Sequence, residues 1–314
     1  MTEDKSLNGK IRKQAAPLVD AKGILKSQFL PDESLDSLWE SIFVPSVQKD
    51  QLLSQAVLNF TLRPKVDRAK VPLHGVILLV GSPGTGKTSL ARGLASRTAD
   101  SLKSSLGEFA YVEVEPHALA SSSLGKSQKA VLELLGQTIS ELADQHPLIV
   151  LLDEVETLAA DRTRMSLEAN PVDVHRATDA VLAQLDHLAE KHSGLLFIAT
   201  SNFPEAIDQA FVSRADLILT IEPPEQAARK TILRDTLEEL AKPFSKITAL
   251  ITDANLEKLA KLSDGLDGRR LRKAVISACA FDKHTALDIN RLNITDLEKA
   301  ISQAGRENKH NGAK

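Results

Sequence analysis

Short apolar runs punctuate the chain at 76–80, 111–114, 148–152, 195–200 and 217–221, separated by longer stretches in which apolar residues recur at helical spacing. Runs of this length, rich in Val, Ile and Leu, predict strands. The unbroken ones, such as Leu148-Ile149-Val150-Leu151-Leu152, predict strands buried on both faces of a parallel sheet. Amphipathic helices are expected between them, notably over 130–143 and 177–188. A further helical pattern spans 38–62, where Leu52, Leu53, Val57, Leu58 and Phe60 supply apolar positions. The segment 63–72 reads as a charged loop. Strands alternating with helices predict an α/β fold with a doubly wound parallel sheet, over residues 35–222. Beyond the pair Pro223 and Pro224 the predicted segments are all helical, at 226–240, 256–262, 270–280 and 295–304. They make a small all-helical lid domain, 223–305, with Thr295 and Glu298 spaced as a capping box and a polar tail at 306–314. Residues 1–34 are polar and weakly periodic, which predicts a mobile arm with a short helix near 24–29.

Two sites bear chemistry. The strand at 76–80 runs directly into Gly81-Ser82-Pro83-Gly84-Thr85-Gly86-Lys87-Thr88-Ser89, and a helix-compatible run follows. A Gly-x-x-x-x-Gly-Lys-Thr segment between a strand and a helix is a phosphate-binding loop. Its glycines let successive N–H groups converge, and the positive end of the helix adds to the anion site. Lys87 is expected to reach the β and γ phosphates, and Thr88 to ligate Mg²⁺. The strand at 148–152 ends in Asp153-Glu154, at the carboxyl end where open α/β sheets place ligands. Asp153 suits the role of holding Mg²⁺ and Glu154 that of polarising the attacking water. ATP and Mg²⁺ are thus the expected substrate and cofactor.

The global composition narrows the partners. Lys plus Arg number 39 and Asp plus Glu 42 in 314 residues, so the formal charge is −3 and supplies no global pull toward DNA or an acidic membrane. The single cysteine, Cys279, sits in an apolar context that suits a small buried side chain, and no disulfide is expected. No apolar run reaches the length of a membrane span, and no secretory signal is evident. The expected location is the cytoplasm, without membrane contact.

The order of these features resembles the AAA+ ATPases. Thr200-Ser201-Asn202 ends the next strand and is similar to sensor 1. Arg214, in Phe211-Val212-Ser213-Arg214-Ala215-Asp216, matches an arginine finger acting on a neighbouring subunit, and Arg269, in Gly265-Leu266-Asp267-Gly268-Arg269, matches sensor 2. Further motifs are Leu38-Trp39-Glu40-Ser41, the segments 84–90 and 152–158, and Ala180-Val181-Leu182-Ala183-Gln184-Leu185-Asp186. Together they resemble the pachytene checkpoint family, also called thyroid receptor-interacting protein thirteen. The resemblance implies a homohexameric ring that uses ATP to open a HORMA-domain client and release it from its partner. Catalytic roles then fall on Glu154, Asn202, Arg214 and Arg269.

The short segment before the ATPase core is similar to that of the bacterial members, which accompany HORMA proteins and a cyclic oligonucleotide synthase in antiphage signalling operons. The family's first pore loop aligns with 119–125, where Leu124 stands in an otherwise Ser-rich stretch. Lys126 beside it, and Arg162 and Arg164 in the second pore loop, complete the implied client grip. An alternative, an AAA+ motor or loader for nucleic acid, calls for a basic, aromatic-interleaved surface. With aromatics at 4% of the chain, direct nucleic-acid binding is not expected.

Overall fold

The computed structural model describes residues 18–119, 126–160 and 171–311. Strand β1 (Ile24–Leu30) leads into helices α1 (Glu33–Ser41) and α2 (Ser46–Leu62). Then come β2 (Val76–Val80), α3 (Lys87–Leu106), β3 (Phe109–Val114) and the short α4 (Pro116–Leu119). Helix α5 (Lys126–Val131) continues through a π-helical stretch, Leu132–Ile139, into α6 (Ser140–Gln145). Next are β4 (Leu148–Leu152), α7 (Pro171–Lys191), β5 (Leu195–Ser201), α8 (Gln209–Val212) and β6 (Leu217–Thr220). The remainder is helical: α9 (Gln226–Ala241), α10 (Asp253–Leu262), α11 (Gly268–Ala278), α12 (Lys283–Leu287) and α13 (Ile294–Asn311).

The six strands form one sheet in the order β1-β3-β4-β5-β2-β6. All neighbouring pairs are parallel except β1 with β3. Every residue of β2, β4 and β5 is buried, as the continuous apolar runs require of strands covered on both faces. Side chains alternate between two cores. Leu78, Val150 and Phe197 face the layer containing Leu135, Val181 and Leu185. Ile77, Ile149 and Ile198 face Leu52, Leu90 and Leu94 on the other side. A third core, including Leu233, Leu259, Leu271 and Leu297, lies within the C-terminal helices, and Phe43 from the segment between α1 and α2 packs against it.

Four expectations are corrected. Residues 24–29 form a strand rather than a helix. Their backbone pairs with the exposed edge of β3, from Ile24 opposite Val114 to Leu30 opposite Phe109. The Ser27 hydroxyl ties this strand to Val19, accepting its N–H at 2.9 Å and donating to its carbonyl at 2.8 Å. The pattern over 38–62 is two helices, because Pro45 has no N–H to donate and biases the residue before it toward extended backbone. The last helix is capped not by Thr295 and Glu298 but by Asn293, whose Nδ2 also donates to Asp296 Oδ2 at 2.6 Å. Asn293 Oδ1 accepts the Asp296 N–H at 3.1 Å, while Glu298 pairs with Lys258 at 2.6 Å. Residues 306–311, expected as tail, continue α13.

The segment 63–72 also holds a surprise. Arg63 is buried, and its guanidinium donates to the carbonyls of Leu195 at 2.6 Å and Ala189 at 3.0 Å. Burial lowers its pKa to about 10, and its charge complements the negative end of α7. Cys279 is buried as expected, and desolvation pushes its thiol up.

Candidate functional site

The phosphate-binding loop, Asp153-Glu154 and Asn202 emerge from the carboxyl ends of β2, β4 and β5, which are adjacent in the sheet. Parallel pairing brings the three strand ends level, with Leu152 opposite Ala199 and Val80 opposite Ser201. Gly86 enters α3 at φ 94°, a left-handed conformation that a side chain would strain, and a Cβ there would meet Ile42 at 2.5 Å. A Cβ on Gly84, at φ 87°, would lie 2.4 Å from the Asp267 carboxylate. Asp267 caps α11 by accepting the Arg270 N–H at 2.8 Å, so the loop and that helix end are in direct contact.

Lys87 is only 5% exposed. Its ammonium donates to the carbonyls of Gly81 at 2.8 Å and Ser82 at 2.9 Å. Desolvation holds its pKa below the ordinary lysine value, opposed by the nearby carboxylates of Glu156, Asp153 and Glu154. The Thr88 hydroxyl donates to Asp153 Oδ1 at 2.9 Å. The Thr200 hydroxyl donates to the same oxygen and accepts the Glu154 N–H at 3.2 Å. A hydroxyl and a carboxylate so close are hard oxygen donors of the type Mg²⁺ accepts alongside phosphate and water. No group of three or more His, Cys, Asp or Glu side chains suited to a metal occurs among the described residues. As a close pair of hard oxygen donors, Thr88 and Asp153 fit a Mg²⁺ ion that arrives with a nucleotide.

Glu154 has φ 53°, an uncommon conformation for a residue other than Gly and one that concentrates at functional sites. Its carboxylate is held at both oxygens: Asn202 Nδ2 donates to Oε1 at 3.0 Å, and His117 Nε2 lies 3.5 Å from Oε2. Asn202 is anchored in turn, since its backbone N–H donates to Glu156 Oε1 at 3.1 Å. Arg269 lines a cleft of about 310 Å³ with Gly84, Gly86 and Ser89 on one side and Ser41 and Pro224 on others. Its charge also acts on Lys87, lowering that pKa.

This constellation agrees with three comparisons. The family model for the ATPase family associated with various cellular activities (AAA) matches residues 77–223. The chain is 57% identical over 283 residues to CD-NTase-associated protein 6 of Pseudomonas aeruginosa, covering 90% of this chain and 92% of that protein. It is 33% identical over 300 residues to the Pachytene checkpoint protein 2 homolog of Danio rerio, covering 88% and 70%. The chain belongs to this family of AAA ATPases. The fold is shared with a solved HORMA:CdnC:Trip13 complex of E. coli MS115-1, at a TM-score of 0.72, 18% identity, and coverage of 88% of this chain and 94% of that one. Nucleotide binding comes with the family.

Not every expected residue of this AAA ATPase lies in the constellation. The Arg214 guanidinium grips Asp186 of the same chain with two bonds, from Nε at 2.8 Å and Nη2 at 2.6 Å, and Nη1 donates to the Ala210 carbonyl at 2.6 Å. Arg68 and His74 flank the same carboxylate at 3.9 and 3.6 Å. The Arg214 bonds hold the Asp186 carboxyl below the usual aspartate range. Lys126 is exposed at the start of α5, while Leu124, Arg162 and Arg164 lie outside the described residues.

Thr200, Glu156, Asp186 and Asp267 were all inside recognisable motifs, but only the fold reveals what each carboxylate or hydroxyl touches. His117 carried no signal in the sequence. Among the described residues, no helix is long and apolar enough to cross a membrane.

Proposed function

We propose that this chain is a Mg²⁺-dependent ATP hydrolase that works as a homohexameric ring. It opens a HORMA-domain protein, releases it from its partner, and thereby regulates a CD-NTase antiphage system. The observation carrying this reading is the convergence of Lys87, Thr88, Asp153, Glu154 and Asn202 in a chain 57% identical to a CD-NTase-associated protein. The presence of HORMA, CdnC and Trip13 together in the structural neighbour supports the client class.

The division of labour follows from chemistry and position. The Lys87 ammonium exchanges the carbonyls of Gly81 and Ser82 for phosphate oxygens, and the turn N–H groups supply the remaining donors. Thr88 and Asp153 would hold Mg²⁺, which would supply positive charge against the phosphate oxygens. Glu154, steadied by Asn202, orients and polarises the attacking water. Arg269 reaches the phosphates from the helical side of the cleft, so that hydrolysis is felt by the C-terminal helices. Arg214 serves the site of the adjacent subunit as an arginine finger. Leu124, Lys126, Arg162 and Arg164 contact the client in the central pore.

Steady-state phosphate release tests the chemical half of this reading. Turnover is expected in Mg²⁺ and is expected to vanish in EDTA. Equal rates in both, or no ATP turnover in Mg²⁺ under any client condition, would refute it.

A further inference from the structure

Glu156 lies two residues beyond Glu154, in the 3-10 turn Val155–Thr157 that follows β4. Its two oxygens have different surroundings. Oε1 accepts the backbone N–H of Asn202 at 3.1 Å, whereas Oε2 is buried and meets no donor. A buried carboxylate oxygen without a donor is costly, so its retention asks for a reason. The other oxygen supplies one.

Strand β5 ends at Ser201, and the ladder to β2 ends at the same residue, opposite Val80. The N–H of Asn202 is thus the first beyond the sheet and has no strand to bind. Glu156 gives it an acceptor. The Asn202 side chain then donates to Glu154 Oε1 at 3.0 Å. The hydrogen bonds run without a gap from Glu156 to the Asn202 backbone, and from the Asn202 amide back to Glu154. With both ends bonded, rotation of the Asn202 peptide plane or of its amide must break a hydrogen bond, which favours one angle of the amide toward the Glu154 carboxylate.

We propose that Glu156 is a positioning residue for hydrolysis: by accepting the Asn202 N–H, it sets the geometry in which Asn202 holds Glu154. This role rests on the hydrolytic reading above. It requires an acceptor at this position but not a negative charge, which separates it from a purely electrostatic contribution to the Lys87 environment.

The experiment measures ATP affinity and kcat for the wild-type chain, Glu156→Gln, Glu156→Ala, Glu156→Met, Asn202→Ala and the Glu156→Ala/Asn202→Ala double variant. Glu156→Gln keeps an acceptor of the same shape and is expected within about threefold of wild-type kcat. Glu156→Ala is expected to lose about 10- to 100-fold in kcat, the scale of a misplaced reacting group, with ATP affinity retained. Glu156→Met removes the acceptor while filling the space, so it carries the comparison if the alanine variant does not fold. The double variant is expected to be no slower than Asn202→Ala alone, because both substitutions break one line of contacts.

Wild-type kcat in Glu156→Met would overturn the proposal. So would Glu156→Gln as slow as Glu156→Met, which would assign the effect to charge, or fully additive losses in the double variant. A wild-type chain without any turnover would overturn the hydrolytic reading and this role with it. Failure confined to the Glu156 variants leaves that reading standing.

Discussion

At the residue scale, Arg214 carries the least expected geometry. The proposed finger role requires the Arg214 guanidinium to reach a neighbouring subunit, yet in this chain Asp186 holds it through two short bonds. Such bidentate pairs fix the plane of the guanidinium, so Asp186 sets the direction in which Arg214 points. Because the Asp186 pKa is lowered, the contribution of this pair to stability is present above the ordinary aspartate value and is lost as pH falls through the lowered one. The pair is therefore intact at neutral pH.

The proposed intersubunit role has a direct test by complementation. Arg214→Ala subunits keep the P-loop and lack the finger, whereas Lys87→Ala subunits lack the P-loop and keep the finger. Each alone is expected to be inactive. Random mixing at equal ratio should place an intact site against an intact finger at about a quarter of ring interfaces, restoring turnover there. No recovery in rings shown to exchange subunits would assign Arg214 to its own chain's site, or to structure alone.

At the scale of elements, what was legible in the sequence was what is local. The P-loop could be read because strand, glycine turn and helix are consecutive, and the buried strands because covering both faces leaves an unbroken apolar run. Strand β1 could not be read, because its conformation is decided by the edge of β3 more than eighty residues later and not by its own alternation. The break at Pro45 was visible but outweighed by apolar spacing on both sides. Glu156 and Asp186 are ordinary acidic residues in sequence, and only the approach of β5 to the turn after β4, and of α8 to the end of α7, gives them partners. Residues 120–125 connect α4 to α5, and α4 carries His117 beside Glu154. If Leu124 grips the client, Leu124→Asp is expected to preserve basal ATP hydrolysis within about twofold and to abolish client opening. The expectation follows because the substitution removes an apolar contact worth about 1.5–3 kcal/mol when buried and leaves the phosphate-facing groups intact. Client opening at the wild-type rate would remove Leu124 from the grip.

At the scale of the whole molecule, the cleft proposed to hold the nucleotide is bounded on both sides. One wall is the P-loop, and the other is the N-terminal end of α11, where Asp267 meets Gly84 and Arg269 lines the opening. The C-terminal helices have their own apolar core, so they can move as a unit while the sheet keeps its register. Under the proposed function, a change at the phosphates is passed to these helices, which pack around a separate centre. This coupling is what a remodelling stroke needs, and it makes client release the quantity to follow.

The most direct measurement is ATP-dependent release of a HORMA-domain protein from its bound partner, followed for the wild-type chain, Lys87→Ala and Glu154→Gln. Lys87→Ala removes the cation proposed to meet the phosphates and is expected neither to bind ATP nor to release the client. Glu154→Gln is expected to bind ATP, to assemble with the client and to hold it unreleased, since only water activation is lost. Release is expected from the wild-type chain alone, and only with hydrolysable ATP. Release at the wild-type rate by Glu154→Gln, or in the absence of ATP, would contradict the proposed function.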